Sequence, residues 1–532
     1  TTGINNTLIG GGAGDALTDA DFNVALGTYA LTTDTVGSKS TAIGYYSLGN
    51  QTFGSTATDT HNTAVGYHAG LAVTTGVQNT LVGSNAGDAL TDADYNVSVG
   101  AYTLSTDTMG SKSTAIGYAT LNNQNFSTAT DSFNTAVGYY AGLSLTTGVK
   151  NTIIGAGAGD ALTAEDHNTL IGYEAGGGLT TGRLNTVVGS IANDNDLKGW
   201  STVAIGVGAF TTQQFNSGAD ENNQTNNTGV GYYAGGLNQS GKNNTYIGSL
   251  AGDDCIDGNN NTAIGYGTLS ADHGDNNTAV GAGAGAGLGS GADQNTFVGS
   301  ECGDSTDDGE YNSALGYQAL SANCGDENTA MGRMAGVLIT GSENTCFGDG
   351  AGATITSGSQ NVCLGHDAGV NQISTSSNLL YIARTGAAAG NDQCWIHGTD
   401  TGTCINGDNS TAWAQTSDKR IKKNITDSSV GLTEINKLKI RNFEYRTFEE
   451  LDSDVKALND GKGLNVISKS GTKTGVIAQE VEEVFPNDVQ EMGDGTKIVT
   501  PSDLNYALIK AVQELSAKIT SLEAEVTKLK GE

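Results

Sequence analysis

Proline, aromatic residues and positive charge are scarce in this sequence. Only two of its 532 residues are proline, both after residue 485, and 6% are aromatic. A backbone without proline can donate hydrogen bonds along its whole length, which suits stacked strands. Low aromatic content also occurs in disordered chains, but an apolar residue recurs here at regular spacing, and this regularity excludes disorder for most of the chain.

The shortage of cations is confined to one part of the chain. Residues 1–410 contain 8 Lys and Arg against 37 Asp and Glu, whereas residues 411–532 contain 17 against 20. An acidic surface repels nucleic acid, so we expect no nucleic-acid partner. No apolar run is long enough to span a bilayer and no signal peptide is recognisable, so we expect no membrane insertion.

One short phrase, Asn-Thr-x-aliphatic-Gly, recurs along the first two-thirds of the sequence. It occurs 21 times, closing first at Gly10 and last at Gly365, and 17 of the 20 intervals are 16 to 18 residues long. Asparagine stands four positions before the glycine in 18 copies, and the other three copies have Ser40, Ser113 and Thr202. A repeat this short cannot bury a core alone and must stack on its neighbours.

These repeats predict a mainly β fold: an elongated β-solenoid or β-roll rod over residues 1–385. We expect coils of about 17 residues, each with two short strands and two turns. The aliphatic residue should face the core, and the asparagine side chains should bond to one another in a ladder along the axis. Longer intervals after Gly44, Gly117 and Gly206 predict side loops, which are candidates for contact with a target.

The seven cysteines show no zinc-site spacing, and we expect neither a metal nor a cofactor. Cys346 and Cys363 should stack in adjacent coils as small buried apolar residues. Cys394 and Cys404 flank a turn and are candidates for a disulfide. Because the chain starts in the middle of a repeat, we expect an upstream part that includes an attachment module.

The C-terminal part has a different character. We predict a β-rich neck over 386–416, a small α+β domain over 417–501, and a helix over 502–532 that starts after Pro501. The helix carries apolar residues at alternating steps of four and three, which predict a coiled coil and self-association. These residues are Leu508, Val512, Leu515, Ile519, Leu522, Val526 and Leu529.

Several ordered motifs in this part resemble one known family. They are SDKRIKKNI at 417–425, GVIAQEV at 475–481, Phe485-Pro486, and the terminal helix over 506–530. The region resembles the intramolecular chaperone domain of the endosialidase type, peptidase family S74. The resemblance implies a homotrimer, a place at the end of a phage tail fibre or spike, and release by self-cleavage.

The same resemblance assigns the catalytic residues. Ser417 would be the nucleophile and Lys422 its base, with cleavage beside the Ser417–Asp418 bond and no other enzyme activity. A serine hydroxyl needs a base, and neighbouring cations such as Lys419 and Arg420 would lower the pKa of the Lys422 amine. From composition alone, this basic run also fits a solvated surface strand.

The predicted function is a homotrimeric receptor-binding fibre of the virion tail, which attaches to a glycan or protein on the host cell surface. One alternative is a polysaccharide-degrading tailspike, for which the carboxylates are Asp253, Asp254, Asp257, Asp304, Asp307 and Asp308. Another is a cell-surface trimeric adhesin, because the repeats loosely resemble adhesin heads. A calcium-binding β-roll lacks its nonapeptide here, and threonine ladders would also suit an ice-binding face.

Overall fold

The computed structural model describes residues 2–214, 224–370, 374–382, 424–446, 450, 471–491, 497–499, 501 and 503–531. The chain divides into two compact units, Thr1–His397 and Gly398–Glu532. The predicted neck over 386–416 lies outside the described residues, as do Cys394 and Cys404.

The first unit is a β-solenoid, as predicted, with one parallel sheet of 22 strands along its length. Each coil contributes one three-residue strand to this sheet, and two coil pairs add a second, two-residue pairing. The strands are β1 Thr7–Ile9, β2 Val24–Leu26, β3 Gly37–Ser38, β4 Thr41–Ile43, β5 Thr58–Asp59, β6 Thr63–Val65, β7 Thr80–Val82, β8 Val97–Val99, β9 Gly110–Ser111, β10 Thr114–Ile116, β11 Thr130–Asp131, β12 Thr135–Val137, β13 Thr152–Ile154, β14 Thr169–Ile171, β15 Thr186–Val188, β16 Val203–Ile205, β17 Thr228–Val230, β18 Thr245–Ile247, β19 Thr262–Ile264, β20 Thr278–Val280, β21 Thr296–Val298, β22 Ser313–Leu315, β23 Thr329–Met331, β24 Thr345–Phe347, β25 Val362–Leu364 and β26 Leu380–Ile382.

Neighbouring coils pair in strict register. Thr135 lies opposite Thr152 and Val137 opposite Ile154, and the same positions pair along the sheet. At about 4.8 Å per coil, 21 coils give a rod of about 100 Å. The predicted second strand forms only where β3 pairs with β5 and β9 with β11. In the other coils the described residues of that stretch form no second strand, although Trp200 and Gln224 make an isolated parallel bridge.

The narrow core of the rod contains the residue two before the glycine in nearly every coil, together with residues of the following turn such as Ala158 and Leu162. Ile153 and Leu170 are fully buried, whereas Ile154, directly before Gly155, is 37% exposed. The prediction that the aliphatic residue faces the core is therefore wrong. Neighbouring residues of a strand point to opposite faces, and burial of the asparagine four before the glycine turns the aliphatic residue outward.

The asparagine ladder is present and nearly all of it is buried: 17 of its 18 members have at most 1% of their surface exposed. The Asn168 side-chain oxygen accepts the backbone N–H of Asn185 at 3.1 Å, and its Nδ2 donates to the Gly182 carbonyl at 3.0 Å. The predicted amide-to-amide ladder is thus mainly a side-chain-to-backbone ladder. It satisfies backbone groups that the turns leave without strand partners.

The closing glycine of each repeat is required by close approach of the backbone. Gly155 has a φ of +141°, and a Cβ placed on it would lie 2.0 Å from the Gly172 carbonyl oxygen in the next coil. Any side chain here would force the two coils apart. The glycine is therefore as much a part of the stacking as the asparagine.

A buried polar network replaces the ladder asparagine in the three exceptional coils. Gln124 Nε2 donates to Asp107 Oδ2 at 2.6 Å and to Ser113 Oγ at 2.8 Å, while its Oε1 accepts from Asn134 at 2.8 Å. Gln51 and Gln213 make the same bonds in the other two coils. The same three coils carry the longer intervals, so the missing asparagine and the inserted loop form one structural module.

The second unit is a small α+β domain. Its elements are α1 Leu432–Ile435, β27 Arg441–Phe443, β28 Lys473–Gly475, α2 Ala478–Glu482, a 3₁₀ helix Pro486–Asp488, β29 Val489–Glu491, β30 Lys497–Val499 and α3 Asp503–Leu529. Two antiparallel pairs, β27–β28 and β29–β30, accompany the helices. Its core is small, with Val481, Phe485 and Ala507 buried together.

Candidate assembly surfaces and self-cleavage motif

The two residues predicted to cut the chain, Ser417 and Lys422, lie outside the described residues. The neighbouring cations Lys419 and Arg420 lie outside them too. The catalytic assignment stays a prediction, and the geometry available concerns the parts of the unit that follow.

An ion pair links β27 to α2. Arg441 contacts Glu480 through two nitrogens, with Nη2 2.6 Å and Nε 3.2 Å from the two carboxylate oxygens. This forked contact raises the pKa of Arg441 and lowers that of Glu480. Glu480 belongs to the 475–481 motif, so one visible role of that motif is to hold α2 against β27.

The long helix α3 begins at a buried carboxylate. Asp488 is fully buried, and its two oxygens accept the backbone N–H groups of Asp503 at 2.8 Å and Leu504 at 2.6 Å. A negative charge at this end also interacts favourably with the helix dipole. The turn after the Phe485-Pro486 motif therefore fixes where α3 starts.

Helix α3 has an apolar seam that none of the described residues covers. It is 27 residues long, about 40 Å, and only Ala507 and Ala511 are buried among its described residues. The seam residues are 45% to 86% exposed. They are Leu508, Val512, Leu515, Ile519, Leu522, Val526 and Leu529. An apolar stripe of this length is a liability on a monomer and is typical of a contact between chains.

The rod has a second uncovered surface, which we call the outer strand face. It consists of the residues three and one before each closing glycine, and across 21 coils none of them is charged. Threonine, valine or serine occupies the first position, and an aliphatic residue, Met331 or Phe347 the second. The second residues are half-buried to exposed, for example Ile9 at 58% and Leu315 at 46%.

Side loops leave the rod at the predicted places. The loops end at β5 and β11, and each is tied to the preceding coil by an ion pair: Lys39 to Asp59, and Lys112 to Asp131, both at 2.5 Å. The third loop lies mostly within 215–223, outside the described residues.

Residues 417–490 match the family described as chaperone of endosialidase (peptidase S74). The resemblance found in the sequence is confirmed over this range, which contains Ser417 and Lys422 at its start. The chaperone match ends before α3, so the terminal helix is not part of it. No curated protein matches the chain. A β-solenoid rod with an endosialidase-type chaperone region fits a protein of the phage tail fibre or tailspike type.

In each of the two acidic clusters proposed for a tailspike enzyme, burial raises the pKa of one carboxyl, that of Asp253 and that of Asp304. Burial and the nearby charge of Asp254 raise the pKa of Asp253 to about 6. Asp253 borders a shallow depression of about 330 Å³ that is also lined by Tyr266 and Ser270. Among the described residues, no group of three His, Cys, Asp or Glu is placed to hold a metal ion, and no helix could cross a membrane.

Proposed function

We propose that this chain forms the shaft of a homotrimeric, receptor-binding fibre of the phage tail, assembled by a C-terminal chaperone that then cuts itself off. The supporting observation is that, among the described residues, each unit exposes a long row of apolar side chains that contains no charged residue. One is the seam of α3 and the other is the outer strand face. Two such surfaces in one chain are most economically covered by further copies of it.

The two surfaces would act in sequence. Association of long β structures is slow and leaves edges exposed to aggregation. A coiled coil through α3 forms quickly and holds three chains at high local concentration. The outer strand faces can then pack together from the C-terminal end of the rod. Removal of the chaperone afterwards makes the assembly hard to reverse, because the element that brought the chains together is gone.

Self-cleavage would use Ser417 and Lys422. The Lys422 amine takes the proton of the Ser417 hydroxyl, whose oxygen attacks the carbonyl carbon of the bond to be cut. Water then completes hydrolysis, leaving one new carboxylate and one new amine. The charges of Lys419 and Arg420 would favour the neutral form of Lys422, as a base near neutral pH requires.

The test is the length and number of chains after expression of the whole protein. Wild type should lose the 115 residues after Ser417, whereas Ser417→Ala and Lys422→Ala should stay full length. Lys423→Ala, which changes a neighbouring cation, is the matched control and should still cleave. Light scattering should give three chains per particle. Cleavage that persists in Ser417→Ala, or a monomeric wild type, would contradict the proposal.

A polysaccharide-degrading tailspike is the second candidate, favoured by the raised pKa of Asp253 next to Tyr266. A carboxyl that stays protonated near pH 6 could protonate a glycosidic oxygen. Release of reducing ends from host polysaccharide by wild type, lost in Asp253→Asn, would support this candidate. Binding of the polymer without its cleavage would leave the fibre as the function.

A further inference from the structure

One residue in each coil is held in the left-handed backbone conformation directly before the ladder position. In coils 2 to 11 its φ lies between +50° and +62°, and its side chain is exposed. The backbone fixes it, as when the Lys39 N–H donates to the Asp21 carbonyl at 2.9 Å and the Lys112 N–H to the Asp94 carbonyl at 2.9 Å. We call this row of side chains the left-handed column.

The column has a regular chemistry in the first half of the rod. From coil 2 to coil 10, rings alternate with long polar side chains, and the rings therefore recur every two coils, about 9.6 Å apart. In order, the residues are Phe22, Lys39, His61, Gln78, Tyr95, Lys112, Phe133, Lys150 and His167. The members interact along the axis, since the Lys112 ammonium lies 5.1 Å from the centre of the Phe133 ring.

The rest of the column is mixed in chemistry and contains a run of four asparagines. It continues at positive φ with Leu184, Ser201, Asn226, Asn243, Asn260, Asn276, Gln294, Tyr311, Glu327, Glu343 and Gln360. Asparagine tolerates this conformation best among residues with a side chain, whereas phenylalanine and tyrosine pay for it in strain. Phe22, Tyr95 and Phe133 are 49% to 53% exposed, so packing within the chain does not repay that strain. Strain retained at exposed rings points to a use outside the chain.

The chemistry of the column excludes two occupants. Lysine is depleted from the centres of protein–protein interfaces, so a column with Lys39, Lys112 and Lys150 is a poor contact between copies. The charge-free outer strand face suits that role better. Nucleic acid needs net positive charge, but Lys39 and Lys112 are paired with Asp59 and Asp131, and the rod as a whole is acidic.

We propose that the left-handed column binds an extended, uncharged polysaccharide lying parallel to the rod axis. Sugar rings would pack their C–H faces on Phe22, His61, Tyr95, Phe133 and His167, and the intervening Lys and Gln side chains would donate hydrogen bonds to hydroxyl groups. The even spacing of the rings suits a polymer with a repeating unit rather than a single sugar. This site deepens the proposed function, on which it rests, by naming the class of receptor.

The test is affinity electrophoresis of the whole protein through gels containing soluble neutral polysaccharides (hydroxyethylcellulose, xyloglucan, galactomannan, yeast mannan) or acidic ones (alginate, hyaluronan). The variant is Tyr95→Asn with Phe133→Asn, which installs the residue that the backbone prefers. It should keep or raise the thermal midpoint and bind at least about tenfold more weakly, the loss expected for two ring contacts. Tyr311→Asn, at the same position outside the alternating stretch, is the matched control and should bind as wild type.

Retardation by at least one neutral polymer that is lost in the double variant supports the site. No retardation by any neutral polymer, retardation by acidic polymers alone, or an unchanged double variant overturns it. A double variant that no longer forms trimers would mean that the column contacts another copy instead. Chain length and oligomeric state are measured on the same samples. A wild type that assembles and cuts itself but ignores every neutral polymer refutes the site and leaves the proposed function standing.

Discussion

The rod and the C-terminal unit solve the problem of a small core in opposite ways. In the rod, every coil rests on two neighbours, and buried asparagines bond to the backbone of the next coil. In the C-terminal unit, a few residues around Val481 and Phe485 form the core, and a 27-residue helix extends beyond it with its apolar seam exposed. The described residues of one chain bury the interior of the rod, but they leave the apolar seam of α3 exposed.

The difference shows what polar repetition can do that apolar burial cannot. A buried amide that bonds to the coil above fixes register at every step, because a slip by one residue would leave many groups without partners. An apolar seam fixes which chains meet but is tolerant of how they slide. The ladder therefore fixes the register of the coils within one chain, whereas under the proposed function the C-terminal unit brings the chains together.

The largest effect on assembly should come from a substitution in the apolar seam of α3. Leu515→Asp places a charge in the middle of the α3 seam, where it would have to be buried in a coiled coil. We expect loss of trimers and, with them, of self-cleavage. Ser516→Asp, one residue along the same helix and off the seam, should assemble as wild type. Light scattering and gel analysis measure both; trimers of Leu515→Asp would exclude the seam as the contact.

In the rod, substitution of a closing glycine should cause a large loss of stability. Gly155→Ala combines an unfavourable φ of +141° with a Cβ 2.0 Å from the Gly172 oxygen, and we expect a cost of about 3 kcal/mol or more. Gly291→Ala, where an added Cβ meets nothing within 4 Å, should be nearly neutral. Hydrogen exchange should show the damage confined to the coils next to Gly155, because a solenoid transmits stress only to neighbours. Equal effects at both positions would contradict this account.

The solenoid could be predicted from the sequence because the same pattern recurs in every coil. The spacing of the asparagine and the glycine predicted the length of each coil. The same spacing predicted that Cys346 and Cys363 lie next to each other in adjacent strands, which the structure confirms. The direction of the aliphatic residue was not readable. A three-residue strand has two faces, and only burial of the asparagine, which is unusual for an amide, decides which face is inside.

Two other features needed the structure. The coincidence of Ser40, Ser113 and Thr202 with the longer intervals was visible in the sequence, but only the positions of Gln51, Gln124 and Gln213 explain it. The left-handed column was hidden because phenylalanine or tyrosine at positive φ violates ordinary preferences. Neither feature was predicted. The catalytic roles of Ser417 and Lys422, which lie outside the described residues, stay predictions.

A charge introduced into one of the buried polar networks, such as that of Gln51, should destabilise the rod more than the same charge at its surface. Burial already raises the pKa of Asp34, and the hydrogen bond from Gln51 opposes this rise. Gln51→Glu removes the donor and adds a second carboxyl, so both pKa values should lie above their unfolded values. The variant should be closest to wild type below about pH 4, and lose roughly 2–4 kcal/mol as the pH rises through the folded pKa values. The exposed Gln214→Glu is the control; urea unfolding at several pH values measures both.

The smallest effect on stability is expected from a substitution of Asp253, which lies at the surface of the rod. Its pKa of about 6, against 3.8 for a free carboxyl, means that its contribution to stability is present below pH 3.8 and lost as the pH rises through 6. Asp253→Asn should therefore match wild type at pH 3.5 and be more stable at pH 8. Because the side chain is half-exposed and solvent screens its charge, we expect about 1 kcal/mol or less. Asp257→Asn, at an exposed position in the same cluster, is the matched control. A stabilisation of Asp253→Asn that does not depend on pH would mean that shape rather than charge is responsible, and it would remove the carboxyl from consideration as the acid of a tailspike enzyme.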